Sequence, residues 1–275
     1  MSELCYHIEE IPWKDKQPYL FDESVIDATY ILYLEGNGRL PSIQDQLSRF
    51  RPTRRVYLVR NQGYKKCKKE SWIRSAAHDL TDANCFAFRH ALNEGYGKVL
   101  VLEDDFQFVE RVRDPSVRHS VSRFLESLQE RSVVKYAMGC HPLMITHCSW
   151  DLEHYYGLYL QSHANVYTMG FMESILDRDP DSLPLLFDWN GLPNYLYGEP
   201  LCYQLLGSTE NRENWTNFFL DGWISWMGLD VSPDGYAFVY RLAKWWWIIL
   251  FWVFVLLFFV QFGRTTTRKK RRSSI

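Results

Sequence analysis

Apolar residues are not spread evenly along this chain; they gather in runs whose period changes from one segment to the next. S-V-I-D-A-T-Y-I-L-Y-L (24–34) is rich in β-branched and aromatic residues and reads as a strand. E-G-N-G-R-L-P (35–41) is a Gly/Pro loop, and S-I-Q-D-Q-L-S-R-F (42–50) has helical spacing with Ser42 at its N-cap. R-R-V-Y-L-V-R (54–60) is a second strand, closed by N-Q-G, so these segments predict a βαβ unit. D-L-T-D-A-N-C-F-A-F-R-H-A-L-N-E-G (79–95) opens at Thr81 or Asp82, stops at Gly95 and predicts a helix feeding the strand K-V-L-V-L (98–102).

That strand runs straight into Glu103, Asp104 and Asp105. Open α/β sheets bind ligands outside the carboxyl ends of their strands. Adjacent carboxylates repel, so they persist there only if a cation offsets the repulsion or water reaches them. A hard divalent ion, Mg²⁺ or Mn²⁺, would do so and would also take phosphate oxygens of a substrate. A solvated acidic loop is the plain alternative; the preceding βαβ unit favours the metal.

Composition narrows the classes. With 275 residues, 47% hydrophobic and 23% charged, the chain can build one large core or a core plus an appendage. The formal net charge of −2 is uneven: the tail after Phe262 carries six basic residues and no acid, leaving the remainder acidic by about eight charges. A nucleic-acid-binding body is therefore not expected. Six cysteines show no C-x-x-C spacing, so neither a zinc site nor a disulfide framework is expected. No basic segment followed by an apolar stretch opens the chain, so a cleavable secretory signal is not expected.

W-W-W-I-I-L-F-W-V-F-V-L-L-F-F-V-Q-F (245–262) has no charge and as a helix would rise ~27 Å, close to the hydrocarbon thickness of a thin bilayer. Arg241, Lys244 and the Trp cluster flank it on one side and the basic run on the other, which predicts one transmembrane helix. The organisation expected is an extension at 1–23, one catalytic domain at 24–240, the transmembrane helix at 245–262 and a basic tail at 263–275. The tail's charge would place it in the cytosol with the domain outside; the missing signal instead favours a tail anchor with the domain cytosolic.

The run D-L-T-D-A-N-C-F-A-F-R-H-A-L-N-E-G-Y-G-K-V-L-V-L-E-D-D-F resembles the core of glycosyltransferase family 25, the lipooligosaccharide and procollagen glycosyltransferases. Y-I-L-Y-L-E-G-N-G-R (30–39) is similar to that family's first strand and Arg-bearing loop. S-L-P-L-L-F-D-W (182–189) resembles its late P-x-D segment, and G-E-P-L-C-Y-Q-L-L-G-S-T-E-N (198–211) its Pro/Gln/Ser segment near the acceptor, so the likeness covers about 24–216.

The resemblance implies a GT-A-like α/β nucleotide-sugar-binding fold. It also implies transfer from a nucleotide-diphosphate sugar, a UDP-sugar by preference, to a hydroxyl acceptor with inversion. It makes Glu103, Asp104 and Asp105 metal ligands for Mn²⁺ or Mg²⁺, and Glu35, Asn37, Arg39, Asn61 and Asp104 the residues near the nucleotide. The acceptor class is a glycan, glycolipid or glycoprotein.

Chemistry adds detail to these candidates. The leaving diphosphate must be neutralised, which a metal on Asp105 assisted by Asp104 or Glu103 would do. The acceptor hydroxyl needs a base, and Asp188 between Phe187 and Trp189 is the candidate, because an aromatic setting raises a carboxyl pKa. An ordinary loop aspartate is the alternative. Lys65, Lys66, Lys68 and Lys69 would steer an anionic donor or form a solvated face. His90, on a largely apolar helix, reads as a core histidine.

His141, His147, His154 and His163 fit no familiar zinc spacing, and their aromatic-rich segment is expected on the acceptor side of the cleft. Glu210 and Asn211 would bond the sugar or belong to a helix cap, and Asn214 opens an N-W-T sequon. Two other functions share these residues: a catalytically silent, membrane-tethered glycan- or nucleotide-binding scaffold, and a metal-dependent phosphoryl-transfer enzyme, for which no P-loop is present.

Overall fold

A computed structural model of the chain describes residues 2–13, 18–148, 151–179, 182, 194–204, 226, 228 and 232–272. The fold is mixed α/β around a central seven-stranded sheet. In chain order the elements are β1 (Tyr6–Glu10), β2 (Ala28–Leu34), α1 (Leu40–Arg49), β3 (Val56–Asn61), α2 (Ala76–Asn93), β4 (Lys98–Glu103) and β5 (Phe106–Phe108). They continue with α3 (Pro115–Ser127), β6 (Lys135–Cys148), β7 (Asp151–Thr168), α4 (Met169–Leu176), β8 (Asn194–Tyr197), β9 (Cys202–Gln204) and a final helix, α5 (Pro233–Arg272).

The sheet order is β1-β3-β2-β4-β7-β6-β8. β2 is parallel to both β3 and β4, while β1 and β7 run antiparallel to β3 and β4. Successive side chains of a strand point to opposite faces, and both faces here are apolar. Ile31, Tyr33, Leu100 and Leu102 pack with Ile43 and Leu47 of α1 and Val121 and Phe124 of α3. Tyr30, Leu32, Val99 and Val101 pack on the other side with Phe88 and Ala91 of α2 and Phe171 of α4. α1 follows β2 on one face and α2 follows β3 on the other, so β3 and β4 flank β2 on its two sides and a crevice opens at the carboxyl ends of β2 and β4.

Several boundaries differ from the sequence reading for local reasons. β2 begins at Ala28, because Val25 and Ile26 turn back to bond the carbonyl of Asp22. α1 starts at Leu40 with Arg39 at the cap position and Pro41 in its first turn, so Ser42 lies inside the helix. α2 starts at Ala76, capped by Ser75, whose oxygen accepts from the His78 amide; Thr81 and Asp82 are interior and buried. Part of the expected N-terminal extension is in the sheet: β1 pairs with β3 from Tyr6↔Asn61 to Glu10↔Tyr57.

One disulfide joins Cys5 to Cys67, against the expectation from spacing, while Cys85, Cys140, Cys148 and Cys202 are free and buried. A bridge between residues 62 apart has no local spacing signature.

The C-terminal helix begins earlier than the expected span at 245–262. Its first turns pack against the sheet, with Tyr240 and Ala243 beside Cys140, Ile145 and Tyr159. Among the described residues no single helix is long and apolar enough to cross a membrane. The arms Pro233–Trp246 and Ile248–Phe258 meet that criterion only together, with a 42° bend between them. Beyond the bend the apolar side chains are exposed, Phe254 at 77% and Leu256 at 67%.

Candidate nucleotide cleft

The crevice holds a cavity of about 440 Å³, lined by Leu34 to Asn37, Arg39, Asn61 to Lys66, Asp79, Glu103 and Asp104 among others. It lies where β2, β3 and β4 end. After Leu34 the chain turns through Gly36 and Gly38, both with positive φ (83° and 78°), which glycine adopts without strain. Asn37 Oδ1 accepts from the Arg39 amide (3.0 Å), and this tight loop delivers Arg39 to the start of α1.

Arg39 answers the carboxylates at the end of β4. Its Nη1 bonds Asp104 Oδ1 and lies 2.9 Å from Asp105 Oδ2. Asp104 Oδ2 also accepts from the Leu34 amide (3.0 Å) and from Asn37 Nδ2 (2.5 Å). Asp105 Oδ2 accepts from Gln204 Nε2 (2.6 Å), while its Oδ1 is buried with no hydrogen-bond partner among the described residues. Burial would lower the Arg39 pKa, but Asp105 and Asp104 outweigh it and hold it above its ordinary value. Burial pushes Asp105 up to about 6, with Arg39 opposing and Asp104 adding to the rise.

The divalent ion implied by the family resemblance does not fit this arrangement. Both oxygens of Asp104 and one of Asp105 are committed to N–H donors, and a guanidinium stands between the two carboxylates. Among the described residues no three His, Cys, Asp or Glu side chains are grouped to hold a metal. Glu103 lines the cavity but does not complete such a group.

The other expected contacts divide. Glu35 lines the cavity with its carboxylate 4.0 Å from Arg60 Nη1. Asn61 also lines it, yet its amide is engaged by the protein. Nδ2 donates to Asp79 (2.9 Å), and Oδ1 accepts from Lys69 Nζ (2.9 Å) and the Gly63 amide (2.8 Å). These bonds shape the loop after β3 while Asn61 stays on the cavity wall. His90 is half-buried and bonds Tyr30 through Nδ1 (2.8 Å), with its pKa lowered by burial.

Asp188, Glu210, Asn211 and Asn214 lie outside the described residues.

The lysine run splits. Lys65 and Lys66 line the cavity, but the Lys69 side chain is 1% exposed, bonded to Asp79 (2.5 Å) and Tyr6 and 3.6 Å from Asp82. This network, pinned beside the Cys5–Cys67 bridge, was missed in the sequence. Its one local signal is Asp79 and Asp82, three residues apart on a helix, which shares a face.

Gln204 was also missed as a partner of Asp105; it sits in the segment resembling the family's Pro/Gln/Ser region. Tyr236 of α5 donates to the Gln204 carbonyl (2.7 Å), so the last helix reaches the back of the acidic turn. Of the histidines on β6 and β7, His154 stacks on Phe124 (4.2 Å) and His141 on Tyr236 (4.6 Å), while His147 is exposed beside Tyr155 (4.3 Å).

No family model matches the sequence, and no curated protein matches it. Solved structures similar to parts of this chain include two glycosyl- or prenyl-transfer enzymes. Mannose-1-phosphate geranyltransferase from Thermus thermophilus is 14% identical with a TM-score of 0.37, over 62% of this chain and 72% of that one. A glycosyltransferase involved in the glycosylation of the major capsid of PBCV-1 is 6% identical with a TM-score of 0.38, over 68% of this chain and 96% of that one. Both likenesses are distant, and neither assigns a role to a residue of this chain.

Proposed function

We propose that this chain is a membrane-anchored glycosyltransferase with a GT-A-like domain, which binds a nucleotide-diphosphate sugar, a UDP-sugar by preference, in the cleft at the ends of β2, β3 and β4. The observation that carries the reading is that cleft. A cavity of about 440 Å³ at the strand carboxyl ends is lined by Arg39, Lys65 and Lys66, cations suited to a diphosphate. The resemblance of 24–216 to family 25 supports the same reading.

In the reaction proposed, the bond from the sugar's anomeric carbon to the β-phosphate oxygen breaks, and its electron pair leaves on the nucleoside diphosphate. The acceptor hydroxyl oxygen bonds that carbon from the opposite face, inverting it, and its proton passes to a carboxylate, for which Asp188 is the proposed base. Acceptors are glycans, glycolipids or glycoproteins at a membrane. The exposed apolar arm of α5 beyond Trp246 supports that placement, because so large an apolar surface marks contact with lipid or a partner.

The test is a thermal-shift screen of the full chain in detergent against UDP-, GDP- and CMP-sugars, followed by a transfer assay with the stabilising donor. At about a hundred times its dissociation constant a ligand stabilises the fold by ~2.7 kcal/mol, which is readily seen. Stabilisation by one nucleotide class, with sugar transfer abolished in Asp188→Asn but binding retained, is the expected result. Stabilisation without transfer to any acceptor would identify the silent scaffold instead, and no stabilisation by any donor would remove the nucleotide reading.

A further inference from the structure

Resting on the nucleotide-sugar reading of the cleft, we propose that Arg39 is the built-in cation of the site: it does the neutralising that a divalent metal would do, and donor binding is metal-independent. Asp104 and Asp105 are then positioning residues that hold Arg39, not metal ligands.

A hard divalent ion asks for several free oxygens, usually carboxylates with phosphates and waters. Asp104 receives three N–H donors, from Leu34, Asn37 and Arg39, and Asp105 Oδ2 receives Gln204 and stands against Arg39. Seating a dication between Asp104 and Asp105 would break those contacts and set it against a guanidinium that is always charged.

Arg39 keeps capacity to spare. It meets both carboxylates through Nη1 alone, and among the described residues Nη2 and Nε have no protein partner. Its side chain is 29% exposed and lines the cavity. A guanidinium fork with one edge on carboxylates and another free matches two phosphate oxygens in plane. Lys66 adds charge nearby, with its Nζ lying over Gly36 at 3.1 Å from where a Cβ would stand.

The loop is rigid where it needs to be. Gly36 and Gly38 in the left-handed region and the Asn37 bonds to Arg39 and Asp104 fix the guanidinium before any ligand arrives, so binding costs little reorganisation. Two opposed carboxylates beside one arginine also explain why Asp105 tolerates burial.

The test is calorimetric titration of UDP, GDP, ADP and CMP into the full chain in detergent, with EDTA or with Mn²⁺. One nucleotide is expected to bind equally in both conditions, within about twofold. Arg39→Ala is expected to weaken it by tenfold or more, roughly the loss of a charge-assisted pair, with Arg39→Lys intermediate. Asp104→Asn should weaken binding with and without Mn²⁺; a metal ligand would lose it only with Mn²⁺. Binding that appears only with Mn²⁺ overturns this proposal and leaves the nucleotide reading standing. Binding by no nucleotide in either condition overturns both. The wild-type comparison settles the matter even if a variant does not fold.

Discussion

Asp105 is a carboxyl that the fold keeps buried beside Arg39 at a cost to stability. Its folded pKa of about 6 lies above the ordinary value of 3.8, chiefly through burial. A carboxyl raised in this way favours folding while protonated, and that contribution is lost as pH rises through about 6. Asp105→Asn is therefore expected to raise the melting temperature at pH 8, with the gain vanishing at pH 4; a loss at pH 8 would show that the Arg39 pair outweighs burial. Lys69 is the opposite case. Its ammonium is the cation between buried Asp79 and Asp82, so Lys69→Met should cost ~3–5 kcal/mol in chemical denaturation, the usual result of leaving buried charge without its partner. A variant within ~1 kcal/mol of wild type would return Lys69 to the solvated lysines.

At the scale of elements, what was legible in the sequence was what is local. β2, α1, β3, α2 and β4 were readable because each carries its own period, and the turn at Glu103 to Asp105 was readable as a strand end. Arg39 is 65 residues from Asp104 and Gln204 is 99 from Asp105, so the partners that decide the turn's chemistry leave no sequence spacing to read. The long pair β6 and β7 was missed because β6 is buried at every position of Lys135–Cys140, which removes the alternation that marks a strand. The Cys5–Cys67 bridge is equally non-local, and it ties the loop carrying Lys65, Lys66 and Lys69 to β1. Closing a loop of 62 residues is worth about 4 kcal/mol on the chain-entropy account. Cys5→Ser should lower stability by about that much or somewhat less and weaken nucleotide binding together, since the same loop lines the cleft; loss of stability with unchanged binding would separate bridge from site.

For the whole molecule, the bridge and the last helix bear on one question, which side of a membrane the domain faces. Disulfides persist in oxidising compartments and are rare in the cytosol. The basic tail after α5's apolar arm favours the cytosolic side for itself. On the proposed anchored reading, these two features would suit a domain on the lumenal or outer face with a cytosolic tail, whereas the sequence alone favours a tail anchor with the domain cytosolic. That placement would put the cleft beside glycolipid and glycoprotein acceptors, with α5 holding it at the membrane and Tyr236 tying that helix to Gln204 behind the acidic turn. In sealed microsomes, external protease should then remove only the tail, and Cys5 and Cys67 should take up maleimide only after reduction. Digestion of the whole domain, or both cysteines reactive without reductant, would instead place the domain in the cytosol, where the proposed donor would have to meet Arg39 and its carboxylates.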